Sequence, residues 1–193
     1  MINVHTPNFT AKCINSPKIG KYNDKESQYE DYTANFVEID PKNEKDVDAL
    51  ENAIKYWEHD KFGMNALYAV NAAKDGSEYY GYHKVYALTA QKNNFDKLDC
   101  NDILGVVHVS PIGKNKLFVE HNQANPAYLY TENPKYAGIG TAMIKSLQKI
   151  CSYISLFPSK EESVKKFYIK NGFLEYGTGT NCYVWIKDIF ERL

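Results

Sequence analysis

The stretch Lys135-Tyr136-Ala137-Gly138-Ile139-Gly140-Thr141 decides how this chain is read. Two glycines this close let the backbone turn sharply and approach a ligand. Behind them Ile139, Met143, Leu147, Ile150 and Ile154 recur at intervals of three and four, the spacing of one buried helical face. The stretch therefore predicts a turn that opens a helix over about residues 138 to 151. The first amides of such a helix lack an internal partner, and the helix dipole adds roughly half a positive charge at that end. A pyrophosphate suits the position, and Lys135 stands at its mouth with a full charge. No Gly-Lys-Ser/Thr follows, so this is not a Walker loop. Met143 occupies the place of a third glycine, so it is not a dinucleotide fingerprint either.

Beyond the helix, Tyr153–Phe157 reads as a strand stopped by Pro158. Ser159-Lys160-Glu161-Glu162 reads as a capping box and Asn171-Gly172 as a helix stop, with Val164, Phe167 and Tyr168 facing inward between them. Phe173–Tyr176 and Cys182–Ile186 pair as a closing hairpin. On the other side, Asn35–Asp40 alternates like a short strand. Asp40-Pro41 then starts a helix over 42–58, carried by Val47, Leu50, Ile54 and Trp57. Further strands are expected over Tyr79–Ala90, with Tyr80, Tyr82, Tyr86 and Leu88 on one face, and over Ile103–Val109. In a fourth, Leu117, Val119 and His121 share one side, and the loop Gln123–Pro134 leads to the glycine turn unless Tyr128–Thr131 continues the strand. Residues 1–33 show no period and are expected as a partly ordered arm, its tyrosines 22, 29 and 32 packing on the body or on a partner. Residues 34–193 are expected as one domain. The order β-α-β-β-β-α-β-α-β-β places the chain in the α/β (α+β) class, a mixed sheet covered by helices.

Composition narrows the function. The chain has 193 residues, 44% hydrophobic and 24% charged, which excludes wholesale disorder and a disulfide miniprotein. A net charge of −1 supplies no bulk field for nucleic acid or an anionic membrane, so neither is an expected partner. No apolar run is long enough to span a bilayer. Cys13, Cys100, Cys151 and Cys182 form no CxxC pair, and His5, His59, His83, His108 and His121 show no HxxxH or HxH spacing, so no metal site is expected. Reduced thiols and the lack of a secretory pattern at the start make a cytoplasmic protein the expectation.

The glycine turn opening a helix is followed in order by a strand, a helix and Tyr168-Ile169-Lys170-Asn171-Gly172-Phe173. This arrangement resembles the GNAT family of N-acetyltransferases over residues 36–186. The family signature is Arg/Gln-x-x-Gly-x-Gly/Ala at the first helix start and Tyr-x-x-x-Gly-Phe at the later helix end; here Lys135 replaces Arg/Gln. The resemblance implies a mixed, mostly antiparallel sheet of about six to seven strands flanked by helices, and acetyl-CoA as acyl donor. It implies that backbone amides of Tyr136, Ala137, Gly138, Ile139, Gly140 and Thr141 hold the pyrophosphate, with Lys135 beside them. It also implies a pantetheine arm in a split between Leu117–Asn122 and Tyr153–Phe157, and Tyr168 protonating the departing thiolate. Where the family often has Asn seven residues before that tyrosine, this chain has Glu161. A carboxylate suits an anionic donor poorly, and Ser159 or Ser163 is expected to take the contact instead.

Transfer by direct attack of an amine needs a base, reached through water, because a lysine-like amine has a pKa of about 10.4. Glu120 is the candidate, on the strand face opposite Leu117 and Val119; an ordinary solvent-facing glutamate is the alternative, and His108 and His121 are weaker bases to consider. A covalent route through Cys151 with either histidine is disfavoured by its place beside the buried helical stripe. The expected activity is acetyl transfer from acetyl-CoA to a primary amine of a small molecule or a protein. The alternative is a non-catalytic acyl-CoA-binding or protein-interaction module that engages a partner through the arm. The oligomeric state is open, a dimer included.

Overall fold

The structure, a computed structural model, describes residues 11–55, 57, 61–76, 82–93, 95, 97–129, 131–177 and 179–187. Its strands are β1 (Lys12–Asn15), β2 (Lys18–Asn23), β3 (Gln28–Thr33) and β4 (Asn35–Glu38), followed by helices α1 (Glu44–Lys55) and α2 (Lys61–Lys74). Then come β5 (Lys84–Thr89), β6 (Ile103–Gly113), β7 (Lys116–Ala124) and β8 (Tyr136–Ala137). Helix α3 (Ile139–Ile150), β9 (Tyr153–Leu156), α4 (Glu162–Lys170), β10 (Leu174–Glu175) and β11 (Tyr183–Ile186) complete the order. Eight strands form the main sheet in the order β1-β4-β5-β6-β7-β9-β11-β10, and β3-β2-β8 form a small second sheet. Every pairing in the main sheet is antiparallel except β7 with β9, which are joined through α3.

Two apolar layers hold the sheet. One face packs against α3 and α4 through Phe36, Leu104, Val107, Met143, Leu147, Ile154 and Phe173. The other packs against α1 and α2 through Val37, Val47, Leu50, Ile54, Val70, Val85 and Val106. After a bulge at Leu104, alternate residues of β6 feed the two layers, and the strand is buried from Ile103 to Val109. Gly105 lets α3 settle onto β6: a Cβ there would lie 2.8 Å from Met143 Cε and 3.0 Å from the Gln123 carbonyl oxygen. Among the described residues no helix is long and apolar enough to cross a membrane.

The structure departs from the sequence expectations in identifiable ways. Helix α2 was not expected, because apolar residues mark both of its sides: Ala66, Ala69 and Val70 are buried while Met64 and Tyr68 are exposed. The segment expected as an arm carries β1, which extends the main sheet along β4, and the β2–β3 hairpin, which pairs with β8. Little of that hairpin is buried beyond Ile19, so it leaves almost no apolar signal. Two of its tyrosines pack on the body, Tyr32 donating to the Ala90 carbonyl at 2.8 Å and Tyr29 to the Pro134 carbonyl at 3.0 Å. Strand β6 runs past its expected end at Val109 to Gly113, and β7 starts at Lys116, so the turn between them is tight. Residues 126–128 form a short 3₁₀ turn and do not prolong β7. Ser159 caps nothing: α4 begins at Glu162 behind an extended Glu161 whose side chain makes no capping bond. Of the expected tyrosine face, Tyr80 lies outside the described residues, Tyr82 is exposed, and Tyr86 is buried against Phe36 with ring centroids 5.1 Å apart.

Candidate active site

The site begins where two parallel strands part. Strand β7 pairs with β9 from Lys116↔Tyr153 to Val119↔Leu156, and there the pairing stops. Beyond it β7 continues to Ala124 with only β6 beside it among the described residues. The separation coincides with a bulge, because Val109 pairs with Val119 and His108 with His121, leaving Glu120 as the extra residue. A bulge bends its strand and re-aims the side chains beyond it. Here it returns Asn122 to the α3 face, opposite Val107, and puts His121 opposite His108 on the α1–α2 face. Leu117 and Val119 therefore do not share a side with His121 as alternation alone predicts.

Gly138 turns the chain from β8 into α3 with φ +80°, a left-handed conformation that glycine adopts without strain. A Cβ there would meet no atom within 4 Å, so the space above the turn is open. The first intrahelical bond runs from Ala142 N to Gly138 O at 2.9 Å, which leaves the amides of Ile139, Gly140 and Thr141 without helical acceptors. Tyr136 and Ala137 are engaged as β8 against Lys21 and Gly20 of β2, and Tyr22 N donates to Lys135 O at 3.0 Å. The hairpin thus clamps the approach to the turn, and the outward donors begin after it. Gly140 gives α4 room, since a Cβ there would lie 3.2 Å from Phe167 Cζ.

Helix α4 supplies the opposite wall. Its C-terminus closes with Gly172 N on Ile169 O at 2.9 Å and Phe173 N on Tyr168 O at 3.1 Å, with Gly172 at φ +87°. That cap and the buried Phe173 ring fix Tyr168, whose ring lies edge-on to Phe173 at 5.4 Å and to Phe167 at 5.0 Å. Tyr168 is 8% exposed. Burial pushes its phenol above the ordinary value, partly offset by a hydrogen bond from the Asn122 side chain. The Asn122 Oδ1 is buried with no hydrogen-bond partner among the described residues. The turn, the upper half of β7 and α4 enclose a groove of about 470 Å³. Its walls include Asn122, residues 136–141, Ser163 and Tyr168.

The structure therefore brings together Tyr136, Ala137, Gly138, Ile139, Gly140, Thr141, Ser163 and Tyr168. Lys135, Ser159 and Glu120 do not line the groove. Lys135 is exposed, its Nζ 5.4 Å from the centroid of the Tyr136 ring. Glu120 lies on the opposite face of the sheet, where Ser110 Oγ donates to its Oε1 at 2.5 Å. Cys151 ends α3 at the pole away from the groove, about 18 Å along a twelve-residue helix. Burial pushes its thiol up to about 11, which disfavours the thiolate that a covalent route would need. Among the described residues no group of three or more His, Cys, Asp or Glu side chains is placed to hold a metal ion. By sequence Asn122 only ends the strand that flanks the expected pantetheine arm; its side chain gains importance through the bulge, which nothing local in the sequence announces.

Comparison with known proteins agrees with this geometry. No protein-family model matches the chain, and no curated protein matches it in sequence. A solved structure from Desulfovibrio desulfuricans, assigned to the GNAT family of acetyltransferases, superposes with a TM-score of 0.51 at 10% identity. The match covers 80% of this chain and 99% of that one. An acetyltransferase of the GNAT family from Staphylococcus aureus matches 80% of this chain and 99% of its own at 16% identity, with a TM-score of 0.46. At such low identity the first match speaks for the fold, and the split strands, glycine turn and capped tyrosine helix agree with it. The chain has the GNAT acetyltransferase fold.

Proposed function

We propose that this protein is an N-acetyltransferase that moves an acetyl group from acetyl-CoA to a primary amine, in the cytoplasm. One observation carries the reading: a single groove holds the unpaired first amides of α3 at one end and the buried Tyr168 hydroxyl beside the strand split. The residues present fit the donor. The open space above Gly138 admits a phosphate, the amides from Ile139 to Thr141 and the helix dipole suit its charge, and the unpartnered Asn122 Oδ1 suits an amide N–H of the pantetheine arm. Ser163, on the groove wall, takes the role left open by Glu161, and Lys135 adds long-range charge from outside.

Acetyl-CoA supplies the activated acyl group as a thioester. Glu120 receives the proton that the amine must lose, on the α1–α2 side of the split. Tyr168 keeps its proton at neutral pH, because burial disfavours the phenolate, and delivers it to the departing thiolate. Asn122 donates to the Tyr168 oxygen and thereby keeps the Tyr168 proton free for donation. Small-molecule and protein amines both suit this chemistry.

Titration calorimetry with acetyl-CoA tests the binding half of the reading. A saturable heat is expected, and Gly138→Trp, which fills the phosphate space, should abolish it. An amine screen with detection of free thiol tests transfer. Tight binding with no transfer across the screen would favour a non-catalytic acyl-CoA-binding module, and no binding at all would reject the reading.

A further inference from the structure

The face of the sheet opposite the donor groove carries a row of side chains at the split. Strand β7 points Leu117 and Val119 into the α3 layer, so Lys116, Phe118 and Glu120 stand on the other face. The apolar layer under α1 and α2 ends at β6 and, among the described residues, takes in none from β7 or β9. Phe118 is half-buried, and the Phe157 ring lies against it with centroids 5.5 Å apart. Phe157 follows Leu156, the last residue of β9 to pair with β7, so the two rings stand where the strands part. Phe157 is 62% exposed and does not line the donor groove. A ring left this open keeps apolar surface in water that an apolar ligand would cover.

The ladder places Glu120 beside the rings. Ser110 pairs with Phe118 across β6 and β7, and its Oγ donates to Glu120 Oε1 at 2.5 Å, so the carboxylate sits at the neighbour of Phe118. The charge at the other end has the opposite sign. Lys116 is exposed and pairs with Tyr153, its Nζ 5.8 Å from the centroid of that ring. It lies about 13 Å along the strand from Glu120 at the usual rise per residue. One face of β7 therefore runs cation, aromatic pair, anion, with the anion at the open end of the split.

That order selects among amines. An ammonium group is drawn to Glu120, and its carbon skeleton then lies along the Phe118 and Phe157 rings, out of water. A second positive charge on the same line approaches Lys116 and is repelled, which discriminates against polyamines. A sugar-like body would leave its hydroxyls unpaired against the rings. We propose that Phe118 and Phe157 are specificity-determining residues, and that the acceptor is a small amine with a single positive charge on an aromatic or alkyl body, its nitrogen beside Glu120 and its body on the two rings. This inference rests on the acetyltransferase reading and names the substrate class of its acceptor side.

Steady-state kinetics at saturating acetyl-CoA with phenethylamine, ethylamine and spermidine test it. In the wild type, kcat/KM for phenethylamine should exceed that for either of the others by at least about 10-fold. Phe157→Ala, with circular dichroism confirming the fold, should raise the KM for phenethylamine about 5- to 20-fold and keep kcat within about twofold. The same variant should leave kcat/KM for ethylamine, which has little body to lose, and the acetyl-CoA Kd within about twofold. Phe157→Leu, which keeps an apolar contact, should return the KM for phenethylamine to within about threefold of the wild type. Lys116→Gln should raise kcat/KM for spermidine about 3- to 10-fold and leave that for phenethylamine unchanged. A wild type that prefers spermidine would overturn the proposal, as would a Phe157→Ala variant that affects phenethylamine and ethylamine alike or affects neither. A wild type that binds acetyl-CoA and transfers to no amine would instead reject the acetyltransferase reading, and this substrate class with it.

Discussion

The two halves of β7 differ in what surrounds them. From Lys116 to Val119 the strand is held on both edges, by β6 and by β9, and its inward residues Leu117 and Val119 are buried. From Glu120 to Ala124 it keeps β6 alone, and no residue of that half is fully buried. The lower half binds the sheet together. The upper half gives up a row of strand pairing and a share of burial, and gains an open backbone edge, a bulged glutamate and an asparagine re-aimed at Tyr168. One strand is thus divided into a structural part and a chemical part by a single extra residue.

Substitutions should respect that division, with stability lost below the split and chemistry above it. The largest effect is expected below it. Ile154→Ala, in the fully buried partner of Leu117, should cost about 2–5 kcal/mol of unfolding free energy in a denaturant titration. Acetyl-CoA affinity among the molecules that remain folded should be within about twofold of the wild type. Next, Gly138→Trp should weaken acetyl-CoA binding by roughly 100-fold or more in calorimetry, about 2.7 kcal/mol, while circular dichroism confirms that the sheet is retained. Tyr168→Phe should lower kcat by about 10- to 100-fold in steady-state kinetics and leave the acetyl-CoA Kd within about twofold, since the hydroxyl acts at proton transfer and the ring keeps its packing. A comparable loss of binding would mean that the ring, not the proton, is what the site uses.

The smallest effect concerns pH. His108 is held neutral in the folded protein, with a pKa near 3, whereas the unfolded chain takes up a proton at the ordinary value of 6.5. The unfolded state therefore binds the extra proton between those values. Stability from this group is complete above about pH 6.5 and is lost as pH falls towards about 3. Each proton adds a slope of at most about 1.4 kcal/mol per pH unit, and His108→Asn should remove one such contribution from denaturation curves measured across that window. An unchanged slope would mean that His108 is not the buried neutral group described above.

How much of this was legible in the sequence depended on how local each signal was. The glycine turn, the periodic face of α3 and the Asn171-Gly172 stop were readable because each is written within a few residues. Together they indicated the donor groove and Tyr168 through a resemblance. Helix α2 was hidden by exposed Met64 and Tyr68, and the N-terminal hairpin by its polar faces. The bulge at Glu120 is a property of register between two strands, and the β7 sequence alone reads as plain alternation. Missing it misplaced His121 and concealed the Asn122 side chain, while Glu120 kept its face because it precedes the shift.

The most direct trial of the central claim compares two ligands in calorimetry on the intact protein: coenzyme A, and pantetheine, which has the same arm without the pyrophosphate. If the unpaired amides of Ile139, Gly140 and Thr141 receive the phosphates, coenzyme A should bind with a saturable heat and pantetheine at least about 100-fold more weakly. Equal affinity for the two, or no heat from coenzyme A, would contradict it.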